Sequence, residues 1–140
     1  MKPTTVPGPP QMALVVHPDL GVVSALQSAL AQKGFTAIIA RDLPTALLAI
    51  TQHYLEIAVV ASHLQENGDG WPLAGVLHLV FPRAYVAVID RVEPDILTLQ
   101  AAINYGVREI YQQSTPAQDL VSSILATFEK SSPGARPTVQ

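Results

Sequence analysis

Cysteine is absent from this 140-residue chain. Its absence excludes a disulfide framework, a thiolate metal centre and a cysteine nucleophile. Charge is sparse as well: 14% of residues are charged, eight basic against eleven acidic, for a net charge of −3. The basic residues are scattered, so the electrostatic footprint that nucleic-acid binding needs is missing. No apolar run reaches the ~18–20 residues of a membrane-spanning helix. The first ten residues combine Lys2 with several prolines and hold no apolar stretch, so they do not read as a secretory signal, and a cytoplasmic setting is expected. The chain also lacks Gly-x-Gly-x-x-Gly and the P-loop sequence. No Ser/Thr/Gly-rich loop follows the first apolar run, as a flavin-binding flavodoxin would want. No cofactor is expected.

Apolar residues, by contrast, make up 49% of the chain, enough for one domain with a real core. Residues 1–10 and 131–140 are rich in Pro, Gly, Ser and Thr and read as a disordered N-terminal segment and a flexible tail or linker. The folded part is expected over 11–130. There, strand-like runs begin at Met12, Phe35, Glu56, Tyr85 and Arg108 and alternate with helix-like segments over Leu20 to Lys33, from Pro44, and over Trp71 to Val80, Pro94 to Tyr105 and Pro116 to Phe128. Asp19 is placed to cap the first helix, and Gly34 and Gly106 to stop the first and fourth. In the second helix the inward stripe is expected to be Ala46, Leu47, Ile50 and Tyr54. Five strand–helix repeats predict an α/β fold, a doubly wound five-stranded parallel sheet of flavodoxin-like order 2-1-3-4-5. The strands are continuous apolar runs, as a sheet covered on both faces requires.

The polar ends of these strands fall on one edge of such a sheet, where open α/β folds place their sites. The first strand ends in Val15-Val16-His17-Pro18, the third in Val60-Ala61-Ser62, and the fourth in Val88-Ile89-Asp90. The loop after the third closes on Asp69-Gly70, and the fifth strand runs into Gln112-Gln113-Ser114. In this spacing, over about Gln11 to Glu129, the chain resembles the receiver domains of response regulators. The resemblance implies a signalling domain of two-component and phosphorelay type, and it assigns positions. His17 and Pro18 stand where the family keeps the acidic pair that holds Mg²⁺. Ser62 stands at the phosphoacceptor aspartate, Asp90 at the hydroxyl residue that contacts the phosphoryl group, and Gln113 at the lysine that neutralises it. Ile110 stands at the aromatic switch position. Of these features only the Asp69-Gly70 turn is retained.

That set is poor for phosphoryl chemistry. Mg²⁺ prefers hard oxygen ligands, and serine does not form an acyl phosphate. Asp90 adds negative charge where a donor is needed, and Gln113 brings no positive charge. The expected function is therefore a receiver-like module that is not phosphorylated on aspartate, is not an enzyme, and acts by protein–protein contact. Its partner is expected to be another protein or a second copy, through the face made by the fourth helix, fifth strand and fifth helix. Trp71, Leu99 and Tyr111 are candidate interface residues, and the uncharged fourth helix is consistent with something covering it.

Two alternatives use the strand-end edge itself. Ser62, His17 and Asp90 are the ingredients of a hydrolytic triad, which would make the chain a flavodoxin-like enzyme or ligand-binder. The strand order argues against it by setting Asp90 beyond Ser62 from His17. His17, His63, Asp69 and Asp90 are residue types that bind transition metals, but none is paired at helical ligand spacing, and no metal is expected. Asp19, Asp69 and Asp90 are the substitute acceptors if the chain were still phosphorylated.

Overall fold

A computed structural model describes residues 11–64, 70–91 and 93–131. The two terminal segments and most of the loop before Gly70, Asp69 included, lie outside the described residues. Ten elements alternate: β1 (Gln11–Val16), α1 (Leu20–Gln32), β2 (Phe35–Ala40), α2 (Leu43–Gln52), β3 (Ile57–Ala61), α3 (Trp71–Val80), β4 (Tyr85–Asp90), α4 (Ile96–Asn104), β5 (Glu109–Gln112) and α5 (Ala117–Ser131). The strands form one parallel sheet in the order β2-β1-β3-β4-β5, as the sequence pattern predicts.

Successive residues of one strand point to opposite faces, so each central strand supplies two cores. Leu14, Val16, Ala58, Val60, Val86 and Val88 pack under α2 and α3. Their neighbours Ala13, Val15, Ile57, Val59, Tyr85 and Ala87 pack under α1 and α5. Every residue of β3 is buried, which is why its sequence shows no polar alternation.

At the helix ends, Asp19, Gly34 and Gly106 take the places expected of them, and Asp42 and Asp95 add two caps that the sequence reading did not name. Asp19 accepts hydrogen bonds from the amides of Gly21 and Val22 at the start of α1. Asp42 and Asp95 cap α2 and α4 through Thr45 N and Thr98 N. Gly34 and Gly106 end α1 and α4 with φ of +90° and +75°, a region only glycine enters freely.

One expectation fails in α2. Ala46, Ala49 and Ile50 face inward, while Leu47 and Tyr54 are exposed, Tyr54 by 64%. Leu47 is one residue off the i, i+3, i+4 stripe. Tyr54 lies past the C-cap His53, beyond the reach of helical spacing, and instead meets Phe81 edge-on at 5.4 Å.

Candidate functional site

The strand order reverses at β1, between β2 and β3, and the crevice beyond the carboxyl ends of β1 and β3 is where this class of sheet binds ligands. A cleft of about 260 Å³ opens there, lined by His17, Pro18, Asp19, Ser62, His63, Arg91 and Gln113, among others. His17 and Ser62 are both only 3% exposed.

Each position follows from the strand before it. His17 extends β1 and donates its backbone N–H to Ala40 O at 3.1 Å. Ser62 extends β3 through Ser62 N to Ile89 O at 2.9 Å, and Gly70 N returns to Ser62 O at 2.9 Å, closing the loop. Gln113 N donates to Asp90 O at 2.9 Å, joining the end of β5 to β4.

The side chains have definite roles. Ser62 Oγ donates to Asp90 Oδ1 at 2.9 Å, and Arg91 N donates to the same oxygen at 2.8 Å. His17 Nδ1 accepts from Asp19 N at 3.0 Å. A neutral imidazole has one N–H, so His17 carries its hydrogen on Nε2. Burial holds the ring below its ordinary pKa, partly offset by the nearby Asp19 charge, and it is neutral at physiological pH.

This arrangement does not assemble a triad. Ser62 and Asp90 are brought together directly, and Ser62 has already given its hydrogen to the carboxylate. His17 has no lone pair on Nε2 with which to take a proton. The same tautomer leaves Nε2 unable to ligate a metal, and Pro18 offers no side-chain ligand. The donor set therefore does not fit the Mg²⁺ of receiver chemistry, which needs carboxylate oxygens. Among the described residues no group of three or more His, Cys, Asp or Glu is placed to hold a metal ion.

Two residues of this edge escape a sequence reading. Arg91 lines the cleft directly after β4. Arg41, directly after β2, braces the β1–α1 turn by donating Nε and Nη2 to Pro18 O at 3.2 and 3.1 Å. The available signal was their position, one residue past a strand end on the same edge.

The candidate interface residues separate. On α4, only Ala102 is buried. Ile96, Leu97, Leu99 and Ile103 are exposed, Leu97 by 73% and Ile103 by 76%. Tyr111 belongs to the opposite layer: it packs with the α1/α5 core, and its hydroxyl donates to Ser123 Oγ at 2.8 Å. Trp71 is half-buried against the α2/α3 core and stacks on Tyr105, with ring centroids 6.4 Å apart and planes at 27°.

No protein-family profile matches the sequence, and no curated protein matches it. Solved structures do. The chain is similar to a two-component response regulator from Clostridium difficile, with a TM-score of 0.78 at 18% identity over 87% of this chain and 98% of that one. A CheY-like receiver domain protein from Methanospirillum hungatei gives 0.77 at 16% identity, over 86% and 95%. The beryllofluoride-activated NtrC4 receiver domain dimer gives 0.75 at 23% identity, over 86% and 98%. The fold is that of the response-regulator receiver domain.

Proposed function

We propose that this chain is a receiver-fold signalling domain that has given up aspartyl phosphorylation and works, without enzymatic activity, by protein–protein contact in the cytoplasm. The observation that carries this reading is the Ser62–Asp90 hydrogen bond. Where the receiver family is expected to present a carboxylate on the third strand and a hydroxyl on the fourth, this chain has the hydroxyl on the third and the carboxylate on the fourth. The two are bonded to each other, so the contact that a phosphoryl group would mediate in a receiver is replaced by a permanent one. One constitutive conformation follows.

The exposed stripe of Ile96, Leu99 and Ile103, with Leu97 beside it, is the contact surface in this reading. Spacings of three and four residues put such side chains on one helix face, and α4 contains no charged residue. The solved receiver-domain dimer among the similar structures supports a second copy as the occupant.

The test has two arms. The amide NMR spectrum is recorded with Mg²⁺ before and after beryllofluoride, with acetyl phosphate as a second phosphodonor. No specific change is expected; shifts centred on Ser62 and Asp90 would overturn the loss of phosphorylation. Light scattering then compares the chain with its Leu97→Lys and Ile103→Lys variants. The parent is expected to dimerise and the variants to be monomeric at the same concentration, whereas a monomeric parent removes the homodimer.

A further inference from the structure

A second apolar patch lies away from the α4 stripe, at the edge where the strands begin. The sheet is parallel, so α2 and α3 both return to that edge, and their C-terminal ends meet there. Tyr54 follows the C-cap of α2, Phe81 is the C-cap of α3, and their rings meet edge-on at 5.4 Å. Phe81 is buried. Tyr54 is exposed by 64%, and the two residues before Phe81, Leu79 and Val80, by 79% and 49%. Neither helix contains Asp, Glu, Lys or Arg. An exposed aromatic and aliphatic patch of this kind marks a contact surface.

β1 begins at the same edge, beside this patch. Glu56 N donates to Met12 O at 3.0 Å, which extends the β1–β3 register of Ala13 with Ile57 by one residue. Two residues before Glu56 stands Tyr54, and two before Met12 stands Pro10. Residues 1–10 thus lead into the fold next to Tyr54. They end in Pro7-Gly8-Pro9-Pro10, and residues 3–10 carry no charge. The Pro-x-x-Pro spacing sets Pro7 and Pro10 one turn apart in a polyproline II helix, the form whose low ordering cost lets it dock on aromatic side chains. The C-terminal segment is the poorer candidate. It follows α5, which packs with α1 on the other face of the sheet, and it contains Arg136.

We propose that residues 3–10 of this chain dock on the Tyr54–Phe81 patch as polyproline II, with Pro10 on the Tyr54 ring and Pro7 one turn farther, toward Val80. Docked there, the segment covers the apolar end of α2 and α3 and leaves the α4 stripe as the surface open to a partner.

The experiment uses the intact chain. Cysteine is absent, so Thr5→Cys gives a single attachment point for a nitroxide label, and its paramagnetic broadening of backbone amides is read by NMR. β1 is flanked by β2 as well as β3, with Gln11 opposite Phe35, so the amides of Gly34 and Thr36 report simple nearness to the start of β1. Tyr54, Leu79 and Val80 are expected to broaden more than Gly34 and Thr36. That excess should disappear in Tyr54→Ala, and in the double variant Pro7→Ser, Pro10→Ser, which leaves residues 11–131 unaltered. Equal broadening on the two sides of β1, or an excess that survives in either variant, overturns the proposal. A second sample mixes spin-labelled chain with isotope-labelled, unmodified chain. Broadening of the same amides there would put a second copy on the patch and equally overturn it. The α4 contact is read by light scattering, so either reading can fail without the other.

Discussion

Ser62 Oγ and Asp90 Oδ1 lie 2.9 Å apart across the ends of the adjacent strands β3 and β4. Ser62 is buried, so its hydroxyl depends on this acceptor. Ser62→Ala and Asp90→Ala are each expected to lower unfolding free energy by ~1–3 kcal/mol, the range for hydrogen bonds to charged groups and for a buried group left unsatisfied. Because the pair acts as a unit, the double variant should cost less than the sum, with a coupling of ~1 kcal/mol or more in a double-mutant cycle by urea denaturation. Simple additivity would show that the two side chains do not stabilise each other.

His17 predicts an acid dependence of stability. Its folded-state pKa lies below the ordinary 6.5, chiefly through burial, so the unfolded chain binds the proton more readily. Its contribution is whole above pH 6.5 and is lost as pH falls through the depressed folded value. Protonating Nδ1 also removes the acceptor of Asp19 N. Urea midpoints should therefore fall between pH 7.5 and pH 5, and His17→Gln should flatten that slope. An unchanged slope in the variant would assign the loss to other groups.

Tyr111 predicts the opposite dependence in alkali. Burial pushes its phenol up to about 12, opposed by the hydrogen bond with Ser123, and burial raises Tyr85 likewise. The fold favours the neutral phenols. Their contribution is whole below pH 10 and is lost as pH rises through the raised folded values. Stability should drop above pH 10, and Tyr111→Phe should lessen the drop, at a neutral-pH cost of at most ~1 kcal/mol for the Ser123 bond. Phenolate absorbance followed alongside denaturation checks both.

Two glycines separate backbone strain from steric exclusion. Gly34 has φ +90°, with nothing within 4 Å of where a Cβ would stand. Gly34→Ala should cost ~1–2 kcal/mol, the left-handed penalty alone. Gly70 has an ordinary φ of −90°, but its Cβ would stand 2.1 Å from Ala61 O and 2.9 Å from Val60 Cγ1. Gly70→Ala forces the backbone beside Ser62 to move, and should cost ~1–3 kcal/mol or more. It should also shift the Ser62 and His17 amides, which Gly34→Ala should leave in place.

Much of the fold was legible because it rests on local and periodic signals. Val15-Val16 and Val59-Val60 read as strands covered on both faces, and Asp19, Gly34 and Gly106 as helix ends, since each depends on near neighbours along the chain. Helix faces are less secure: Leu47 sits one residue, about 100°, off the buried stripe of Ala46, Ala49 and Ile50, and Tyr54 lies beyond the helix end, where helical spacing no longer applies. The residues at the strand-end edge were legible as a set, because a parallel sheet collects the carboxyl ends of its strands on one side.

The amino-acid sequence by itself determined the five-repeat α/β order and the unusual inventory His17, Pro18, Ser62, Asp90 and Gln113. Only the tertiary structure decided how that inventory is wired. It paired Ser62 with Asp90 across two strands 28 residues apart in sequence, turned His17 Nδ1 onto Asp19 N, and brought Arg91 to the cleft. It also put Tyr111 in the layer opposite to the exposed side of α4. Hydrogen-bond direction, tautomer and the side a residue faces depend on register and on atoms distant in the chain, so no local pattern carries them.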